Sequence, residues 1–261
     1  MKQAVVFFDV DGTLISGKTN IVPDSTVEAI KRLRANGHIP VINTGRPFGH
    51  LQPPVKALDI RDYVCACGMY IKRDGAVIQD YRPTKELCLQ MRDLVISCKM
   101  DAFFESMNTV FYIHNFFKGF EWECEILRKA SVELRADVMA DDFYFDKFVV
   151  WNRPESDFAT FCYEVSKYFT IIFRSPRFTE LVPIGFSKGI GMKNFIASLG
   201  EGERTVYAFG DSNNDVEMFR NCDVSVLMGD GKPTLRDQVD YVTDAVDDDG
   251  IMHALEHFGL I

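Results

Sequence analysis

Asp9 and Asp11 lie two residues apart directly after an apolar run, Ala4 to Phe8, and Asp211 and Asp215 follow a second such run, Val206 to Phe209. On an extended turn Asp9 and Asp11 can both reach one site, and like charges held close call for a cation. Oxygen donors with no Cys or His among them suit a hard cation, and Mg2+ is the usual choice where phosphate completes the shell. Gly12 and Thr13 suggest backbone N–H groups open to an anion, and Thr44-Gly45 adds a hydroxyl and another amide. Lys188 follows Ser187 at a helix start, so its ammonium can turn toward the same anion. Carboxylate-bound metal, hydroxyl, amides and lysine together make a phosphoryl site. A carboxylate in such a site can itself be the nucleophile, forming an aspartyl-phosphate. Each piece alone is weak: a DxD can be a turn, and Ser-Lys-Gly can be a helix cap.

The elements around these residues give the pieces weight. Ala4 to Phe8 reads as a strand buried on both faces of a parallel sheet. A helix is expected from about Asp24, with Val27, Ile30 and Leu33 on one side and Gly37 as its stop. Ile39 to Ile42 is a second strand running into Asn43-Thr44-Gly45-Arg46, and another short strand lies near Tyr63 to Ala66. Alternating strand and helix imply βαβ units and a parallel sheet, in which ligands gather at the carboxyl ends of the strands. Two apolar arms joined by Asp74-Gly75 predict a hairpin over Ile71 to Ile78.

From about 82 to 184 the rhythm changes. Helices are expected over 84–98 and 154–167, and strands at 101–105, 109–113, 146–151, 169–174 and 178–183. This pattern predicts an inserted α+β domain. Fourteen of the 22 Phe residues, Phe103 through Phe178, fall in it. Phe116, Phe117 and Phe120 could form a ligand-facing wall, but a domain this small needs bulky core residues, and core packing is the expectation. After 185 the βα rhythm returns with helix 187–199, strands Val206 to Phe209 and Val224 to Met228, and a last helix burying Ile251, Ala254, Leu255 and Phe258. The expected domains are therefore 1–81 with 185–261, and 82–184.

Composition narrows the class. The chain has 261 residues, 47% hydrophobic and 26% charged, with a net charge of −9. A surface this acidic repels phosphate backbones and anionic lipid, so neither nucleic acid nor membrane is an expected partner. Seven irregularly spaced cysteines, with no CxxC pair, read as reduced buried thiols rather than disulfides or a zinc site. No signal-peptide core or membrane-span run is visible, and the expected setting is the cytoplasm. No coiled-coil seam is visible either, and a monomer is expected.

Four motifs in order, each at an element boundary, carry a resemblance. DVDGTL at 9–14, NTGR at 43–46, SKG at 187–189 and GDSNND at 210–215 resemble the motifs of the haloacid dehalogenase superfamily. The insert resembles the type IIB cap of its Cof-like sugar-phosphatase branch, as do TELVPIGFSKG at 179–189 and DDDGI at 247–251. The resemblance implies a Rossmann-like α/β core with an α+β cap, and a Mg2+-dependent phosphatase acting on a small phosphate ester, a hexose or related sugar phosphate first. It implies Asp9 as nucleophile and Asp11 as general acid and then base. It further implies Mg2+ on Asp9, the Asp11 backbone carbonyl and Asp211. Val10, Thr44, Gly45 and Lys188 would meet the phosphoryl group, with Asp215 and Asn214 orienting Lys188 and neighbouring groups.

Arg46 can clamp a substrate oxygen or pair with a carboxylate. Glu180 resembles a family position near the active site, or pairs across the hinge. His253 and His257, one helical turn apart, lack a third metal ligand and read as an exposed face. Asp247, Asp248 and Asp249 are expected to favour the last helix's N-terminus. Cys67-Gly68 and Met228-Gly229-Asp230 depart from the branch's Asn-Gly and Met-Gly-Asn, which puts substrate contacts there in doubt, and Cys67 reads as a spectator. Two rivals remain: a phosphomannomutase-like phosphotransferase, and an idle regulator that binds sugar phosphate without turnover.

Overall fold

The computed structural model describes residues 2–261, which form two compact units. One comprises the chain up to Arg46, Pro53–Asp80 and Ser187–Ile261; the other comprises Pro47–Gln52 and Tyr81–Phe186.

In chain order the first unit begins with β1 (Gln3–Phe8), α1 (Asp24–Ala35), β2 (Ile39–Asn43), α2 (Pro53–Lys56), β3 (Asp62–Cys65), β4 (Tyr70–Arg73) and β5 (Ala76–Asp80). The second unit contains α3 (Lys85–Ser97), β6 (Met100–Glu105), β7 (Thr109–Ile113), α4 (Phe120–Lys129), β8 (Glu133–Arg135), β9 (Lys147–Asn152), α5 (Phe158–Val165), β10 (Phe169–Ser175) and β11 (Phe178–Pro183). The first resumes with α6 (Lys188–Ser198), β12 (Arg204–Gly210), α7 (Val216–Phe219), β13 (Val224–Leu227), β14 (Tyr241–Val242) and α8 (Gly250–His257).

The first unit is built on an eight-stranded sheet, β14-β13-β12-β1-β2-β3-β4-β5. It is parallel from β14 to β3 and turns antiparallel at β4 and β5. β1 and β12 are central neighbours, and Phe8 is level with Phe209, so Asp9 and Gly210 leave the sheet side by side. Val5, Phe7, Val41, Ala208 and Leu227 fill one face with Met192 and Phe195 of α6. The expected hairpin is present, with Asp74 and Gly75 both at positive φ as a two-residue turn between twisted strands requires.

One local expectation needs correction: Val27 is 45% exposed, and α1 buries Thr26, Ala29, Ile30 and Leu33 instead. Asp249 leads into α8 at positive φ with Asp247 and Asp248 just ahead of it, and Asp247 also accepts a bond from Ser16 Oγ at 2.8 Å.

The second unit is a six-stranded sheet, β10-β11-β9-β6-β7-β8, antiparallel except for the β7–β8 pair. All five strands expected in the insert are present within two residues at each end. Helix α4 and strand β8 lay outside the expectation; α4 is amphipathic and buries Phe120, Cys124, Ile126 and Leu127. Strand alternation sorts the aromatics. Phe104 and Phe148 face α3 and α5 in one core, and Phe103, Trp151 and Phe120 build a second core with α4. Among the described residues no helix is long and apolar enough to cross a membrane. Among the described residues none of the seven cysteines forms a disulfide, and five of them are buried.

Candidate active site

Every motif residue of the phosphoryl constellation lies in the first unit, at the carboxyl ends of β1, β2 and β12 or the start of α6. Asp9 extends the β1 ladder by one bond, donating its N–H to the Phe209 carbonyl at 3.0 Å. The chain then folds tightly on Val10, whose carbonyl accepts from the N–H groups of Leu14 and Ile15. Gly12 sits at φ +79°, and a Cβ there would stand 2.8 Å from the Asp211 carboxylate. The glycine thus lets two motifs close on one another.

After β2, Thr44 is buried and its N–H bonds the Val64 carbonyl at 2.9 Å. Ala66, Cys67 and Gly68 all adopt positive φ, and this left-handed turn donates Cys67 N–H to the Thr44 carbonyl and Ala66 N–H to the Arg46 carbonyl. Cys67 thus supports Thr44 through its backbone while its side chain is buried. Gly68 and Gly191 let this turn lie against α6, since a Cβ on either would meet the other's backbone under 3 Å.

Ser187 caps α6, accepting from Ile190 N–H at 3.1 Å, and this aims Lys188 inward from the first helical position. The Lys188 Nζ lies 2.6 Å from Asp9 Oδ1 and 2.6 Å from Asp215 Oδ1, fully buried with both. Asp215's other oxygen accepts the Asp211 and Ser212 N–H groups, each at 3.0 Å, so this carboxylate both closes its own turn and holds the lysine. Asn43 Nδ2 bonds the Lys188 carbonyl at 3.1 Å. Its role needed the fold: only tertiary structure brings β2 beside α6, although Asn43 opens the NTGR motif.

Three further residues find partners of their own. Asn214 bonds Ser212 Oγ at 2.8 Å rather than Lys188, which Asp215 orients. Arg46, left open between substrate and carboxylate, forms a two-pronged pair with Asp11: Nε to Oδ2 at 2.6 Å and Nη2 to Oδ1 at 2.9 Å. Glu180 belongs to the second unit, where it meets Lys147 at 2.9 Å and Arg174 at 3.7 Å. Gly45 stands between Thr44 and Arg46 at the end of β2.

Asp9, Asp211 and Asp215 each offer a carboxylate oxygen within 4.8 Å of the others, the one such group among the described residues. His253 instead meets Asp244, and His257 stacks on Tyr241. Burial pushes Asp9 up to about 8; Lys188 opposes this, while Asp215, Asp211 and Asp11 add to it. Burial would pull Lys188 down, but Asp215 and Asp9 outweigh it and hold the ammonium above its ordinary value. Lys188 bridges two of the cluster's carboxylates, and Asp11 beside it pairs with Arg46. Oxygen donors converging on one point, with no Cys or His among them, fit a divalent cation.

A family model for haloacid dehalogenase-like hydrolases matches residues 6–255. The chain belongs to that family and is an enzyme of its hydrolase class. Among similar proteins is YkrA of Bacillus subtilis (strain 168), provisionally named a phosphatase, 27% identical over 267 residues and covering 100% of both chains. A provisionally named bifunctional phosphatase/peptidyl-prolyl cis-trans isomerase of Streptococcus pyogenes serotype M6 is 27% identical over 272 residues; this chain spans 55% of its length. Among solved structures, the HAD subclass IIB sugar phosphatase BT4131 superposes with a TM-score of 0.84 at 25% identity, over 99% of this chain and 100% of that one.

Proposed function

We propose that this protein is a Mg2+-dependent phosphatase that hydrolyses a small sugar phosphate through an aspartyl-phosphate on Asp9. The observation that carries the proposal is Asp9 itself, buried at the end of β1 with Lys188 2.6 Å away and Asp211 and Asp215 converging on it. A carboxylate in so dry a site exchanges its hydration for fixed partners, which suits a nucleophile.

Asp9 and Asp211, with the Asp11 backbone carbonyl, would hold the Mg2+, which when bound offsets the charge of the incoming phosphoryl group. The remaining steps belong to the chain. Thr44, Gly45, the Val10 turn and Lys188 bind the phosphoryl oxygens. Asp9 attacks phosphorus, the bond to the leaving oxygen breaks, and a protonated Asp11 gives that oxygen its proton. Asp11, now a carboxylate, takes a proton from water; the water oxygen bonds to phosphorus and the Asp9–phosphorus bond breaks. Arg46 fixes the Asp11 carboxylate between turnovers, and Asp11's side chain, 48% exposed, can draw protons from solvent.

The inserted unit, from about 82 to 184, is the specificity domain in this reading, and Glu180 with its partners belongs to it. The sugar-phosphate class rests on likeness to a subclass IIB sugar phosphatase. The protein acts as a cytoplasmic monomer. The test is phosphate release from a panel of sugar phosphates with Mg2+, beside Asp9→Asn. Turnover lost with chelator and lowered roughly a thousandfold in the variant is expected. Isomerisation of a hexose phosphate without release would move the chain to the phosphotransferases, and binding without turnover to the regulators.

A further inference from the structure

The second unit holds a pocket of about 540 Å³ that shares no residue with the phosphoryl constellation. Phe116, Phe117, Trp151 and Phe178 make its apolar wall, and Asn152 and Arg177 bring polar groups to it. The volume lies in the usual range for small-molecule sites. Three of the rings form a single stack: Phe117 on Trp151 at 4.1 Å and Trp151 on Phe178 at 4.9 Å, all within 14° of parallel.

The wall is built rather than incidental. Phe116 and Phe117 sit on the loop after β7, and buried Asp101 of β6 accepts the N–H groups of Asn115, Phe116 and Phe117 at 3.0, 2.8 and 2.7 Å. Arg153 Nε completes the set at 2.8 Å. One desolvated carboxylate thus fixes three successive amides of the loop. Phe120 behaves as the sequence led us to expect and enters the core, but Phe116 and Phe117 stay half-buried on the pocket.

The pocket's place within its unit separates it from the chain entries. Gly49 and His50 lie against Met107 and Ser106, at the Glu105 end of β6, and Tyr81 stacks on Phe186 just beyond the Pro183 end of β11. Those ends coincide with Lys147, the first residue of β9. Trp151 and Asn152 close the same strand at its other end, roughly 16 Å away at the rise of a strand.

Its chemistry selects a ligand. Arg177 lies over the Phe116 ring at 5.4 Å and meets no carboxylate among the described residues, and Lys118 joins it against a single acid, Glu123. Aromatic walls take a planar ring, and basic side chains beside them take an anion. We propose that this pocket is a second ligand site, with a lining distinct from that of the phosphoryl site, which takes a planar aromatic anion.

Trp122 and Trp151 are the only two tryptophans, and Trp122 is 56% exposed on α4, so Trp122→Phe leaves Trp151 as the sole indole. The probe is 1-anilinonaphthalene-8-sulfonate, which carries aromatic rings and an anion together and accepts energy from tryptophan. Titration of this variant should quench Trp151 saturably with one probe per chain. Binding should weaken about tenfold when Arg177→Ala is added, the loss of one charge-assisted contact. It should vanish when Ser175→Phe fills the pocket. Asp9→Asn, or saturating inorganic phosphate with Mg2+, should leave it unchanged. No saturable quenching, indifference to both pocket variants, or competition by phosphate would each overturn the proposal. Because the readout is binding and not turnover, it stands or falls apart from the phosphatase reading.

Discussion

The two units handle buried charge in opposite ways. In the second, Lys147 meets Glu105 at 2.8 Å and Glu180 at 2.9 Å, and Arg174 approaches Glu180, so each of these carboxylates faces a cation. Asp101 is likewise closed off by Arg153 and three amides. In the first, Asp9, Asp211 and Asp215 converge within 4.8 Å of one another, and Lys188 bridges two of them. Burying ions costs several kcal/mol each unless they are paired, so carboxylates that each face a cation can serve the fold alone. Carboxylates that converge on one another add mutual repulsion, which a bound cation relieves. The distinction separates Glu180 from Asp9, although both are buried acids at strand positions.

The contrast is open to attack at several points. The largest effect expected is from Lys188→Met, which should lower kcat/KM by a hundredfold or more, of order 3 kcal/mol, because it strips the cation facing Asp9. Lys147→Met should do the reverse, lowering the melting temperature through about 3–5 kcal/mol of unpaired buried charge while altering kcat far less. If Lys147→Met abolished turnover in protein that still melts normally, the paired cluster would be chemical and the contrast would fail.

Next comes pH. With no metal, Asp9 holds its proton up to about 8 in the folded chain against an ordinary 3.8. Folding then binds a proton between those values, so this group's stabilisation is complete below about pH 4 and is lost as pH rises through 8. A bound cation favours the ionised form instead. The rise in melting temperature on adding Mg2+ to chelated protein should therefore be larger at pH 9 than at pH 6. A shift independent of pH, or one unchanged in Asp9→Asn, would place the ion elsewhere. The smallest effect is Arg46→Gln, which frees Asp11 from its two-pronged partner and should lower kcat/KM about tenfold with melting little changed. An unchanged rate would reduce Arg46 to a surface partner.

Much of the architecture was legible because its signals are local. A run such as Ala4 to Phe8 can only be a strand buried on both faces, and Asp74-Gly75 supplies the two left-handed residues that a tight hairpin needs. The insert's strands were equally clear from alternation. Helix α4 was not, because only Lys118 and Gly119 separate Phe117 from Phe120, a break too short to set the helix apart from the aromatic cluster before it. Val27 misled for a related reason: an apolar residue at helical spacing says nothing about where the core stops, and the buried face of α1 runs instead through Thr26 and Ala29.

The sequence by itself determined the residue types of the site and their places at the ends of β1, β2 and β12 and the start of α6, since strand and cap signals span only a few residues. Tertiary structure alone decided their partners. Lys188 bridges Asp9 and Asp215, Arg46 takes Asp11, Asn43 holds the Lys188 carbonyl, and Glu180 turns to Lys147. These pairings join segments up to 179 residues apart, as Asp9 and Lys188 are, and no local pattern encodes which of several available charges will meet. Whether buried carboxylates meet cations or one another, which distinguishes the two clusters, is settled only once the chain has folded.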